Sequence, residues 1–378
     1  MKKNINILYV ITSLGVGGAE NLLADVCCEF SGRHNITVFY ILDHTNFVSK
    51  IKSSGAKVIF RDYTKLGFVK VFRDLRRIIK QERIDIVHTH LPAADTLGRL
   101  AALSCPGVKA ISTIHNSDLW KLRNTPVCLL LRIYNRFTIN CFKRTCLIAV
   151  SHSVKDFCIE KEKIKSEKIT VVYNGINFDN PAKSIPGFVS PLPEDCFSII
   201  IPARMEPYKG HILLLKAALL LIRENRIPNL RVMLMGAGSE EKNLRDFVEK
   251  ENISENIMFL GFRSNLYDYM RVADLMVLPS QIEGHSITVL ESFYCGTPVL
   301  ASDIPANNEQ LCGGKNGLLF PLEGGETVLA DMIQDFYEGG KDRNPSYKEN
   351  ALSYCLSHSM PQHVEELETL YCSIISGT

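Results

Sequence analysis

Glu283 and Glu291, eight positions apart, are the residues of this chain whose type and spacing say most about chemistry. Glu283 follows an apolar run at 275–279, in a loop that leads into the helical run 287–294, and Glu291 lies further along that helix. A helix start carries unpaired N–H groups and partial positive charge, so an anion such as a diphosphate can rest between two carboxylates that themselves grip neutral hydroxyls. The competing reading of Glu283 is a solvated loop charge. Its surroundings favour the first reading: Gly284 and Ser286 are small enough for a ligand to approach, and Cys295-Gly296-Thr297-Pro298 stops the helix before a second apolar strand at 299–302.

A second chemical turn reads Pro202-Ala203-Arg204-Met205-Glu206-Pro207-Tyr208-Lys209-Gly210-His211, directly after an apolar run and before the helical run 212–222. Two fixed cations beside a helix start suit a diphosphate leaving group, and surface pairing with Glu206 is the plainer alternative. Their charge removes the need for a bound metal. The sequence also lacks an Asp-x-Asp pair that would chelate one with a nucleotide diphosphate, so metal-independent chemistry is expected.

Near the start, Ser13-Leu14-Gly15-Val16-Gly17-Gly18-Ala19-Glu20 forms a Gly-rich turn that opens a helix. A dinucleotide fingerprint needs a third glycine where Glu20 stands, so the nicotinamide reading fails at that residue. The N–H groups of Gly17 and Gly18 stay candidate phosphate contacts, with a plain tight turn as the alternative. His88 and His90 follow Asp85 at a strand end with no third ligand nearby, which favours cleft lining or a core position over metal binding. His115 follows the strand 110–114 and leads the polar loop Asn116-Ser117-Asp118, so its ring is expected to project into a cleft, donate to a ligand hydroxyl or assist proton movement.

The elements that must hold these residues alternate strand and helix throughout. Apolar runs at 5–11, 36–42, 57–60, 84–88, 110–114 and 147–150 read as strands, with helical periodicity between them, as at 19–30 and 69–81. A second series, at 197–201, 231–235, 257–260, 275–278 and 299–302, follows a rigid stretch containing Pro181, Pro186, Gly187, Pro191 and Pro193. The expected architecture is α/β, with two doubly wound parallel-sheet domains at 1–185 and 190–358 facing one cleft. A length of 378 residues agrees, because it exceeds what one hydrophobic core usually organises.

Composition excludes several classes. An apolar share of 46% and a charged share of 22% belong to an ordinary globular chain, and no run approaches a membrane span. Twelve cysteines without C-x-x-C pairs, and no secretory segment before the first strand, point to free thiols in the cytoplasm. The net charge of +2 conceals an asymmetry: residues 1–190 carry 28 Lys and Arg against 15 Asp and Glu, a balance of +13, and the remainder balances at −11. A basic half meets something anionic, and no recognition module for nucleic acid accompanies the charge. Lys121, Arg123, Arg132, Arg136, Lys143 and Arg144 interleave with Leu129, Leu130, Leu131, Ile133, Tyr134, Phe137 and Phe142, which reads as an amphipathic helix pair able to lie on acidic lipid heads. Solvated faces of core helices are the alternative.

Together these residues resemble a retaining glycosyltransferase of family 4, with the GT-B fold of two facing Rossmann-like domains. The matching pieces run in the family's order over residues 5 to about 320: residues 15–20, Asp85 through His90, Thr113 through His115, Ala149 through Ser151, Tyr173 through Ile176, Arg204 with Lys209-Gly210, Gly236 and Gly238, Gly261-Phe262, Ala273-Asp274 with Pro279-Ser280, and the glutamate pair. The resemblance implies that Arg204 and Lys209 bind the donor diphosphate, Glu291 accepts from ribose hydroxyls, and Phe262 lines the base pocket. It further implies that Glu283 and His115, the candidate catalytic residues, reach hydroxyls of the transferred sugar, with Gly284, His285, Ser286 and Ile287 alongside. In the family's fold the helix at 360–378 crosses back onto the first domain. One departure stands out: His285 and Ser286 occupy places where the family commonly has Phe or Leu and then Gly, which leaves the donor sugar open.

The resulting expectation is a cytoplasmic transferase, peripheral on the inner membrane face, that moves a sugar from a nucleotide-diphosphate donor to a lipid-linked or polysaccharide acceptor in surface-glycan assembly, with no metal and no nucleic-acid partner. A sugar-nucleotide 2-epimerase of the same fold and a non-catalytic nucleotide-sugar-binding protein are the alternatives.

Overall fold

The computed structural model describes residues 4–117, 125–178, 180, 183–339 and 345–376. They form two compact units, Met1–Gly175 with Met360–Thr378, and Ile176–Ser359.

In the first unit seven strands, β1 (Asn6–Ile11), β2 (Asn35–Tyr40), β3 (Lys57–Phe60), β4 (Ile86–His90), β5 (Lys109–Ile114), β6 (Thr145–Ala149) and β7 (Ile169–Val171), make one sheet in the order β3-β2-β1-β4-β5-β6-β7. Every pairing is parallel, with Ile7 beside Ile36 on one side and Ile86 on the other. Continuous apolar runs suit such strands because helices cover both faces. The helices are α1 (Gly18–Glu29), α2 (Val48–Ser53), α3 (Tyr63–Gln81), α4 (Pro92–Leu103), α5 (Pro126–Asn140) and α6 (His152–Glu160). α3 starts earlier than its apolar spacing indicates, because the Asp62 carboxylate caps the N–H groups of Thr64 and Lys65.

The second unit is a six-stranded parallel sheet in the order β10-β9-β8-β11-β12-β13. Its strands are β8 (Phe197–Pro202), β9 (Leu230–Met235), β10 (Ile257–Gly261), β11 (Leu275–Leu278), β12 (Val299–Ser302) and β13 (Leu318–Phe320), and its helices α7 (His211–Arg223), α8 (Glu241–Lys250), α9 (Leu266–Val272), α10 (Ile287–Cys295), α11 (Pro305–Gln310), α12 (Gly325–Gly339) and α13 (Pro345–Leu356). One core face packs Ile199, Leu214 and Leu234 with Leu329 of α12, and the other packs Met233, Met276 and Leu290 with Ala351 of α13.

The last helix, α14 (Met360–Ser376), belongs to the first unit and packs on α1. Tyr371 meets Tyr9 at 3.0 Å between hydroxyls, Glu368 accepts from Arg33 at 3.2 Å, and His363 Nδ1 donates to the Tyr173 carbonyl at 2.6 Å.

The expected amphipathic helix pair is a single helix among the described residues. α5 is capped by the Thr125 hydroxyl, and residues 141–144 turn into β6, where Arg144 donates to the carbonyls of Leu103 and Cys105 instead of facing outward. Asp118, Trp120, Lys121 and Arg123 lie outside the described residues. All twelve cysteines are free thiols.

Candidate active site

In the second sheet the strand order reverses between β8 and β11. Connections from those two strands leave toward opposite faces, which opens a crevice at their carboxyl ends, the usual ligand site of such sheets. The loop after β8 carries Arg204 and Lys209, and the loop after β11 carries Glu283. The sequence pattern and the topology therefore lead to the same place.

Gly210 lets the two loops meet. It sits at φ 76°, and a Cβ there would collide with the Pro279 carbonyl oxygen, so a side chain would push the loops apart. The Gln281 N–H donates to the Tyr208 carbonyl at 2.8 Å and clips them together. Lys209 Nζ then reaches Glu283 Oε1 at 2.7 Å, and both side chains are largely buried. Arg204 stays exposed, with Nη2 donating to the Tyr208 hydroxyl at 3.1 Å. Glu206, the plainer partner for these cations, accepts from Ser239 Oγ instead.

Glu291 is buried on α10 and accepts from Lys183 Nζ, whose ammonium lies 5.1 Å from the centre of the Tyr267 ring. Each glutamate thus faces its own lysine. The start of α10 is clamped by Gln310, whose amide accepts from the Ser286 N–H and donates to the Ser286 carbonyl, both at 2.9 Å. The N–H groups of Ile287 and Thr288 precede the first helical hydrogen bond, Leu290 to Ser286, and have no helical acceptor. Gly284 is buried between the glutamate loop and this helix start. His285 is turned onto α13, with Nε2 3.1 Å from the Tyr354 hydroxyl and its ring 5.2 Å from that of His358. Phe262, just past β10, is 57% exposed and is held near the β9 turn by the Gly236 N–H, which donates to the Gly261 carbonyl.

In the first unit the order reverses between β1 and β4. After β1, the Glu20 carboxylate folds back beside Gly17 and accepts from Ser13 Oγ at 3.3 Å, so an acid already stands at the start of α1. His88 lies within β4, with its nitrogens 2.6 Å from the Tyr371 hydroxyl and 2.7 Å from Thr113 Oγ1. His90 Nδ1 meets His115 Nε2 at 2.9 Å. Burial holds His88 at a pKa of about 3 and His115 at about 4 and pushes His90 well down, so these rings are neutral at pH 7. His115 can therefore donate one N–H there but brings no positive charge. Among the described residues no three His, Cys, Asp or Glu side chains gather to hold a metal ion.

Residues 16–180 match the model of Glycosyltransferase Family 4, and residues 187–353 match that of Glycosyl transferases group 1. The chain belongs to glycosyltransferase family 4. It is 25% identical over 290 residues to the Escherichia coli UDP-Gal:alpha-D-GlcNAc-diphosphoundecaprenol alpha-1,3-galactosyltransferase, covering 75% of this chain and 74% of that one. It is 22% identical over 345 residues to the Campylobacter jejuni N-acetylgalactosamine-N,N'-diacetylbacillosaminyl-diphospho-undecaprenol 4-alpha-N-acetylgalactosaminyltransferase, covering 86% and 89%. The crystal structure of Anabaena Alr3699/HepE in complex with UDP superposes with a TM-score of 0.80 at 20% identity, over 98% of this chain and 100% of that one. The fold is GT-B.

Sequence reasoning did not single out Lys183 or Gln310. Lys183 stands in the Pro-rich stretch read as a linker, 108 positions before its glutamate. Nothing local marks either residue.

Proposed function

We propose that this protein is a retaining, metal-independent hexosyltransferase that moves a sugar from a nucleotide-diphosphate sugar to a lipid-linked or polysaccharide acceptor in surface-glycan assembly. The observation that carries the proposal is the convergence of Arg204, Lys209 and Glu283 on the β8/β11 crevice, with Lys209 and Glu283 2.7 Å apart. Arg204 and Lys209 stabilise the departing diphosphate, supplying the charge that a metal would otherwise bring. As the bond from the anomeric carbon to the diphosphate breaks, an acceptor oxygen bonds to that carbon from the same face. The proton of the acceptor hydroxyl passes to a diphosphate oxygen, and the anomeric configuration is retained.

Glu283 accepts from hydroxyls of the transferred sugar, Glu291 accepts from the ribose, and Phe262 lies against the base. The N–H groups of Ile287 and Thr288 face donor oxygens, and the neutral His115 donates to a sugar hydroxyl. The relatives favour a uridine nucleotide and a polyprenol-diphosphate acceptor, since one is named for UDP-Gal and two for diphospho-undecaprenol glycans. Such an acceptor suits a cytoplasmic protein peripheral on an anionic membrane face, for which the basic first half and the apolar side of α5 speak.

Incubation with UDP-, GDP- and ADP-sugars in EDTA tests the reading. One donor is expected to release its sugar slowly, with the donor's anomeric configuration and without epimerisation. No release from any donor, inversion, or dependence on added manganese would contradict it.

A further inference from the structure

His90 is 5% exposed, yet among the described residues its Nε2 has no hydrogen-bond partner. The ring lines a cavity of about 10 Å³ together with Tyr9, Leu22, Asn174, His363 and Leu367 among others. The ring is fixed on every other side. It packs 4.4 Å from the His88 ring and 5.9 Å from Tyr9, measured between centres, and its Nδ1 meets His115 Nε2 at 2.9 Å, with those two ring centres 5.2 Å apart and their planes 30° from parallel. Immediately after it the backbone turns through Leu91 at φ 69°, a conformation that costs a branched side chain energy and that the surrounding packing must hold.

Burial keeps both rings neutral, so the two facing nitrogens share one proton. If His115 Nε2 carried it, His90 Nδ1 would accept and the remaining proton of His90 would sit on Nε2 as an orphaned buried donor. If His90 Nδ1 carries it, Nε2 is a bare acceptor, and unmet buried acceptors are less costly and more common than unmet N–H groups. The second arrangement leaves His115 with its own proton on Nδ1, directed away from His90.

We propose that His90 is a positioning residue for His115: through the shared proton it holds the His115 ring in place and fixes its tautomer as Nδ1–H, the form that donates a hydrogen bond to the transferred sugar. This rests on the reading above that His115 touches that sugar.

The test begins with the full-length protein labelled with ¹⁵N-histidine, with ring signals assigned by comparison with His115→Gln and His90→Asn. His115 is expected in the Nδ1–H form; the Nε2–H form in the wild type would overturn the proposal with no variant needed. His90→Leu, which can neither give nor accept the proton, is expected to turn His115 into a tautomer mixture and to lower kcat/KM on the order of 10–100-fold. His90→Asn places an amide nitrogen where Nδ1 was and is expected to keep the wild-type tautomer and most of the rate. An unchanged His115 signal in folded His90→Leu would overturn the idea. In a His115→Ala background, His90→Leu is expected to add no further loss, and an additive loss would count against action through His115. If His115→Ala alone left turnover intact, the sugar contact would fall, while the ring signals would still decide what His90 does.

Discussion

The two glutamates are set by the lysines that face them. Glu283 meets Lys209 within one crevice, and Glu291 meets Lys183 from a stretch of chain far away in sequence. Removing one partner of a buried pair leaves an uncompensated charge, which costs roughly 3 kcal/mol where both side chains are well covered. Lys183→Met is therefore expected to lower the urea midpoint and to raise the donor KM about tenfold, with a smaller effect on kcat, because Glu291 loses the group that orients it. Unchanged donor KM in steady-state assays would remove Lys183 from the site. The pair spacing and the Arg204, Lys209 turn were legible in sequence because both follow apolar strands at fixed short offsets. Lys183 was not, since its position depends on how residues 183–185 are tied to α9, where the Ile185 N–H donates to Asp268 and Arg271 to Ser184.

At the scale of elements, α4 and α5 show what periodicity can and cannot tell. Asp95 and Arg99 form a buried ion pair on α4; Asp95 accepts from Thr89 and Ser112 of β4 and β5, and Arg99 donates to Asn135 and Thr138 of α5. A charged pair one helical turn apart reads from sequence as a solvated face, and only the packing of α5 over it reveals a buried link. Arg99→Met is expected to cost about 3–5 kcal/mol in urea unfolding, and a loss below about 1 kcal/mol would show the pair to be dispensable. The opposite side of α5 exposes Leu130, Ile133 and Phe137, each more than half accessible, beside Arg136. Three large apolar side chains on one helical stripe with a basic neighbour suit a lipid surface. Leu130→Glu with Ile133→Glu is expected to abolish binding to vesicles of anionic lipid at low salt. Binding equal to wild type, or wild-type binding indifferent to lipid charge, would end the membrane reading.

For the whole molecule, the two doubly wound sheets and their longer strands were readable, because long apolar runs and regular spacing decide them, whereas β7 and β13, three residues each, are too short to show such a run. The placement of α14 in the first unit was available only from the family resemblance: its spacing marks a helix, but its seat depends on Tyr371, His363 and Glu368 finding Tyr9, Tyr173 and Arg33. That seat adds His363 to a group with the buried His88 and His90 and the half-buried His115, each kept neutral chiefly by desolvation. Folded pKa values of about 3 for His88 and about 4 for His115 and His363 lie below the ordinary 6.5. Below pH 6.5 the unfolded chain therefore binds protons that the folded one refuses, so stability falls as pH drops from about 6.5 toward 4, by up to roughly 1.4 kcal/mol per pH unit for each such histidine. Tm measured across that range is expected to fall steeply, and a flat profile would contradict the neutral cluster. Arg204 and Lys209 are proposed to hold a nucleotide diphosphate without help from a metal. Titration of UDP, GDP and ADP into the protein in EDTA, beside the Arg204→Ala, Lys209→Ala double variant, tests it most directly. One nucleotide is expected to bind the wild type and to bind the variant at least tenfold more weakly; binding to neither, or equal binding to both, would contradict it.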